Sequence, residues 1–167
     1  LPADIRIQDS CQVPDDFHPR FCKTQKTYEY KIWNHRFADP TKRLYSLFCY
    51  YPLDEKKMEE AAGFLGGKHD FRSFCTWKPE MEHTVRTVKN LTVTRQGHLI
   101  TIQVTGDGFL YNMVRIIVGT LIRVGSGMYP PEYVAKILAA RDRSLAGETA
   151  RPEGLTLVKI CYPPEEG

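Results

Sequence analysis

"RTVKNLTVTRQGHLITIQVTGDGFLYNMVRIIVGTLIRVG", residues 86–125, changes its hydrophobic period part-way along. RTVKNLTVT and HLITIQVT alternate apolar with polar residues on either side of Arg95-Gln96-Gly97, the pattern of an antiparallel hairpin. Beyond Gly106-Asp107-Gly108 the spacing becomes helical, with Met113, Ile116, Ile117, Leu121 and Val124 recurring every three or four positions. A hairpin feeding a helix sets a mixed α and β class for the centre of the chain.

The flanks extend the same class. Upstream, KTYEYKIW (26–33) alternates Tyr28, Tyr30 and Ile32 with polar partners and reads as a strand, and LFCYYPL (47–53) is a second short apolar run. Asp54 then stands at a helix N-cap position, with Met58, Ala61, Ala62 and Leu65 at offsets of zero, three, four and seven and Gly66-Gly67 as a stop. Downstream, Pro130 and Pro131 open a third helix running through EYVAKILAARD, and GLTLVKICY closes as a strand whose alternation Val158 breaks. The order is strand, strand, helix, hairpin, helix, helix, strand. An α+β fold with an antiparallel sheet and helices packed on one face buries all of these faces. Residues 1–16 do not fit that unit.

At 167 residues, 42% of them hydrophobic, the chain can bury a full core, and a net charge of +3 permits nucleic acid without demanding it. No apolar run approaches the ~20 residues of a membrane span and the N-terminus has no signal-peptide order, so the protein reads as soluble and cytoplasmic. The five cysteines are scattered without a C-x-x-C pair, and the five histidines lack metal-ligand spacing, so no metal site is expected.

Four features carry candidate chemistry. Arg115 is the one charge in the middle of an almost uncharged helical pattern, and at i, i+4 it shares a face with Tyr111. Solvation on a polar helix face is the default for such a residue. The lack of charged companions argues instead for a half-buried guanidinium that needs a carboxylate or phosphate. Asp107, between two glycines, could be that carboxylate, but an Asp-Gly pair between strand and helix is foremost a turn. Tyr28 and Tyr30 share a strand face and either pack the core or present a ring to a flat base. FHPRFCKTQK (17–26) interleaves His18, Arg20, Lys23 and Lys26 with Phe17 and Phe21, which suits an RNA backbone and equally a solvated loop with two anchoring rings.

Together LPADIRI, FHPRFCKTQKTYEYKI, HDFRSF, GDGFLYNMVRIIVGTLIRVGSG and RPEGLTLVKICY resemble, in order and spacing, the bacterial tRNA pseudouridine synthase A family. The resemblance covers practically the whole chain. It implies a cofactor-free isomerase that converts uridine to pseudouridine in the anticodon arm of tRNA. It further implies a fold of two similar halves with joined antiparallel sheets, each a ferredoxin-like or RRM-like unit, and a homodimer. Residues 1–16 would be a remnant of the first half, and 17–167 the second.

The catalytic aspartate of the family sits in a glycine-arginine-threonine-aspartate-x-glycine-valine-histidine segment upstream of the LPADIRI match, and the sequence does not contain it. Arg115 matches the arginine that pairs with that aspartate. Tyr28 matches the tyrosine that contacts the target base, and Leu155 a leucine that packs against it. Phe17, His18, Pro19, Arg20 and Phe21 match a tRNA-touching stretch, with Pro19 in place of a usual alanine. Lys26 follows that stretch, and the loop from Lys78 to Glu82 matches a second RNA-contacting segment. A chain without the aspartate is expected to be inactive by itself. The alternative expectation is a non-catalytic RNA-binding module derived from the same family.

Overall fold

The structure is a computed structural model and describes residues 1–19, 22–79 and 83–162. Its strands and helices run β1 (Gln25–Asn34), β2 (Leu47–Cys49), α1 (Glu55–Gly63), β3 (Gly67–Asp70), β4 (Val85–Gln96), β5 (Leu99–Gly106), α2 (Met113–Gly125), α3 (Tyr133–Ala140) and β6 (Leu155–Cys161). The sheet order is β2-β1-β5-β4-β3, with β6 also paired to β1. β1 is the organising strand. One edge pairs with β5 over Lys26 to Trp33, while the other is shared, β6 taking Gln25 to Tyr30 and β2 taking Ile32 to Asn34.

The α+β class holds, and the sheet is antiparallel except where β2 lies parallel to β1. That exception follows from connectivity: residues 35–46 carry the chain back before Leu47 joins, so β2 enters in the same direction as β1. β3 was not foreseen, because Gly67-Lys68-His69-Asp70 has no apolar alternation. Its place on the sheet edge comes from pairing with β4 alone.

Alternation otherwise translates directly into burial. Tyr30 and Ile32 of β1 and Ile100, Ile102 and Val104 of β5 all face one side and are buried under the helices. The break at Val158 has a structural cause: Thr27 pairs with Lys159 and Tyr28 with Leu157, so Val158 is the extra residue of a β-bulge. The β4–β5 ladder runs to Gln96 and Leu99, which shortens the expected turn to Gly97-His98, with Gly97 at φ 59°.

Asp54 caps α1 by accepting from the backbone N–H groups of Lys56 and Lys57, both at 3.1 Å, and Met58, Ala61 and Ala62 are buried. The helix ends at Gly63, before the Gly66-Gly67 pair. α2 differs from expectation in kind. Eleven of its thirteen residues are buried, so it is apolar nearly all round and not one-sided. Its second covering is the loop 146–150, which presses so closely that a Cβ on Gly119 would stand 1.8 Å from the Glu148 carbonyl oxygen. Buried Thr120 secures the contact, donating to the Ile116 carbonyl at 2.8 Å while its Oγ1 accepts from Gly147 N–H at 2.9 Å.

Residues 1–16 carry no helix or strand and are exposed throughout. The ordered unit is joined at Phe17, whose ring meets Tyr162 edge-on at 5.3 Å.

Candidate active site

A cleft of about 770 Å³ opens where β1, the β5–α2 connection and the start of β6 converge, lined by Tyr28, Lys78, Phe109 to Arg115, Pro152 and Leu155. It gathers residues spread over most of the sequence. Arg115, Tyr28, Leu155 and Lys78, each singled out from the sequence, stand on this one cleft.

Arg115 is held from two sides. Its Nε donates to the Ala150 carbonyl at 2.5 Å and its NH1 donates to Asn112 Oδ1 at 3.2 Å, while its own carbonyl accepts from Ala150 N–H at 3.1 Å. Among the described residues no carboxylate lies within 4 Å of the guanidinium. The guanidinium is half-buried. The i, i+4 pairing with Tyr111 does not form as expected. α2 begins at Met113, and Asn112 before it takes the left-handed conformation at φ 60°, so Tyr111 precedes the helix and reaches the cleft from the turn.

Asn112 was missed by the sequence reading. Its Nδ2 donates to Thr76 Oγ1 at 3.2 Å while its Oδ1 receives Arg115, tying the guanidinium to the segment that bears Lys78. The left-handed backbone is a conformation that asparagine tolerates better than most residues. The signal was there in principle, an amide just ahead of a helical pattern and three residues from the arginine.

Asp107 behaves as a turn residue. Its Oδ1 accepts from Thr87 N–H at 2.9 Å, its own N–H donates to the Thr87 carbonyl at 3.1 Å, and it lies outside the Arg115 cleft.

The two tyrosines of β1 separate cleanly. Tyr28 stands on the cleft wall, its ring set edge-on against Phe109 at 5.2 Å and 89°. Tyr30 is core, and its hydroxyl donates to the Arg151 carbonyl at 2.6 Å. That bond presses residues 150–155 onto β1 so closely that a Cβ on Gly154 would come within 2.7 Å of the Lys31 carbonyl and the Tyr30 ring. Leu155 opposite Tyr30 is fixed by the same contact.

Burial first, then the neighbouring Glu153 carboxylate, raises the Tyr30 phenol well above its ordinary value. Tyr51 is pushed up to about 12, mainly by burial. A group whose folded pKa lies above its unfolded one stabilises the fold below the unfolded value, about 10 for tyrosine, and loses that contribution as pH rises through the folded value. The urea midpoint is therefore expected to fall between pH 9 and pH 11, and less steeply in Tyr30→Phe. Equal slopes in the two proteins would contradict this.

The remaining RNA-facing expectations are dispersed. Lys78 sets its ammonium 3.8 Å from the centre of the Tyr111 ring at the cleft mouth. Phe17 packs on Tyr162, the His18 carbonyl accepts from Cys22 N–H at 3.1 Å, and Pro19 is exposed. Lys26 is half-buried on β1 opposite Gly106 and Ile160 and does not line the cleft. Arg20, Phe21, Glu80 and Glu82 lie outside the described residues. No described helix is long and apolar enough to cross a membrane.

The sequence model of a family described as tRNA pseudouridine synthase matches residues 61–163, a span that includes every residue of the cleft except Tyr28. The chain belongs to the tRNA pseudouridine synthase family. It is 48% identical over 155 residues to a tRNA pseudouridine synthase A of Halalkalibacterium halodurans, a match covering 93% of the chain and 59% of that relative. A protein of the same name from Moorella thermoacetica is 45% identical over 162 residues, covering 97% of the chain and 66% of the relative. A third, from Chlamydia trachomatis serovar L2b, is 43% identical over 164 residues, or 98% and 61%. The chain thus spans about three-fifths to two-thirds of the length of the curated relatives it matches. In this tRNA pseudouridine synthase family member, the cleft has an aromatic wall at Tyr28, an aliphatic wall at Leu155 and the guanidinium of Arg115.

Proposed function

We propose that this chain is the C-terminal half of a tRNA pseudouridine synthase and that the Arg115 cleft is its share of the active site. The observation that carries this reading is a half-buried guanidinium, anchored on a carbonyl and an amide, with no carboxylate partner among the described residues. Such a charge costs free energy unless it is neutralised, and a carboxylate from the upstream segment would neutralise it. Residues 1–16 are then the tail of that preceding half.

The reaction breaks the bond from uracil N1 to the sugar C1′, turns the base and forms a bond from C5 to C1′. N1 gains the proton that C5 gives up, so nothing is added or lost. Arg115 keeps the reacting carboxylate ionised and orients it through its fixed guanidinium. Tyr28 and Leu155 hold the everted uracil between ring and aliphatic chain, as an enzyme must when its target atom is hidden in a base stack. Phe109 fixes the Tyr28 ring and Lys78 offers charge to the phosphates at the mouth. Phe17, His18, Pro19, Arg20, Phe21 and Lys26 belong to the RNA-facing surface in the same reading. The substrate is a uridine of the tRNA anticodon arm, the full-length protein is a cytoplasmic homodimer, and the chemistry uses no cofactor.

The product tests the reading. Unmodified tRNA treated with the chain extended upstream through the aspartate segment, then digested to nucleosides, is expected to yield pseudouridine. Tight tRNA binding with no pseudouridine would favour the RNA-binding module instead.

A further inference from the structure

Residues 75–78 form a ridge with a functional side chain on each flank. Lys78 leans over Tyr111 into the cleft. Trp77, 52% exposed, lines a separate depression of about 660 Å³ with Cys75, Thr76, Arg72, Arg141, Asp142 and Arg143.

The charges there are unevenly matched. Arg141 is paired with Asp70 at 3.2 Å, and the Asp142 carboxylate accepts from Ser144 N–H at 2.8 Å. Arg72 and Arg143 have no carboxylate within 4 Å among the described residues. Arg143 is anchored through the Gly147 carbonyl at 2.9 Å and Thr149 Oγ1 at 3.3 Å, which fixes its guanidinium in place. The Arg72 guanidinium lies 5.0 Å from the centre of the Trp77 ring. An exposed indole beside unneutralised guanidiniums combines a stacking surface for a base with donors for a phosphate oxygen.

We propose that this depression is a second RNA subsite that takes a nucleotide flanking the target uridine, its base on Trp77 and its phosphate on Arg72 and Arg143. The inference rests on the cleft being the uridine site, since the ridge then separates neighbouring nucleotides of one strand. Lys78 and Trp77 are adjacent in the chain, about 3.8 Å apart at Cα, so one RNA segment crossing the ridge meets both.

The test uses the chain with Trp33→Phe, leaving Trp77 as its single indole. Titration with unmodified tRNA is expected to quench Trp77 emission. Trp77→Ala, followed by filter binding, is expected to weaken binding roughly ten- to a hundredfold. Arg72→Ala is expected to reduce the salt dependence of binding by about one unit of slope, and Arg72→Lys to restore the slope. Thermal melts identify any variant that fails to fold, and Arg143→Lys supplies a milder change at the anchored position. If tRNA binds while Trp77 emission and the Arg72→Ala slope stay unchanged, and Tyr28→Ala still weakens binding, this subsite is refuted and the cleft reading survives. No tRNA binding at any salt concentration refutes both. Stronger quenching by a polyglutamate peptide than by tRNA would overturn the assignment to RNA.

Discussion

Arg115→Met, made in the chain extended upstream through the aspartate segment, is expected to lower pseudouridine formation roughly a hundred- to a thousandfold, the scale of losing one preorganised charged donor. Methionine keeps much of the apolar stem, so α2 should still pack against its neighbours. What disappears is the guanidinium that Ala150 and Asn112 hold at the floor of the cleft. Arg115→Lys retains a charge but cannot reproduce the forked bonds of Nε and NH1, and is expected to recover only part of the rate. Affinity for tRNA should change only a few-fold, because most of it comes from phosphate contacts elsewhere. Single-turnover assays separate rate from binding, and a rate within threefold of the unmodified protein would contradict the role given to Arg115.

Gly119→Ala is expected to be the most damaging single methyl group in the fold. The added Cβ would stand 1.8 Å from the Glu148 carbonyl oxygen, and both sides of that contact are backbone. The loop 146–150 must therefore lift from α2. Lifting it strains or breaks the Gly147 to Thr120 bond and both Arg115–Ala150 bonds, each worth about 1 kcal/mol net. With overpacking of about 1–3 kcal/mol the loss comes to about 4–6 kcal/mol, a large part of a stability of about 5–15 kcal/mol. For a domain of this size that lowers Tm by about 10–20 °C. Because the same loop anchors Arg115, activity should fall even at temperatures where the variant remains folded. A Tm within 2 °C of the parent would show that the loop accommodates the methyl group.

The elements with strong apolar periodicity were legible because one-sided burial writes itself into sequence. The hairpin, α1 with its Asp54 cap and the broken alternation at Val158 each have direct structural counterparts. β3 was illegible because an edge strand of Gly67-Lys68-His69-Asp70 buries no apolar face of its own. The parallel pairing of β2 was equally hidden, since three residues carry no mark of direction. At the cleft, the lone charge of Arg115 and the ring of Tyr28 were visible as anomalies, and only packing separated Tyr28 from core Tyr30. The Arg115 clamp depends on a carbonyl at Ala150 and on an asparagine in the left-handed region. Backbone carbonyls have no residue signature, so no spacing rule could have found the first of these.

On the proposed function, Arg115 is half of a charge pair completed by a carboxylate upstream of this chain. The deciding measurement is pseudouridine formation on unmodified tRNA with the 167-residue chain alone and with the chain extended through the aspartate segment. Product is expected from the extended protein and none from the chain alone. Product from the chain alone would contradict this, because the residues present would then supply all of the chemistry.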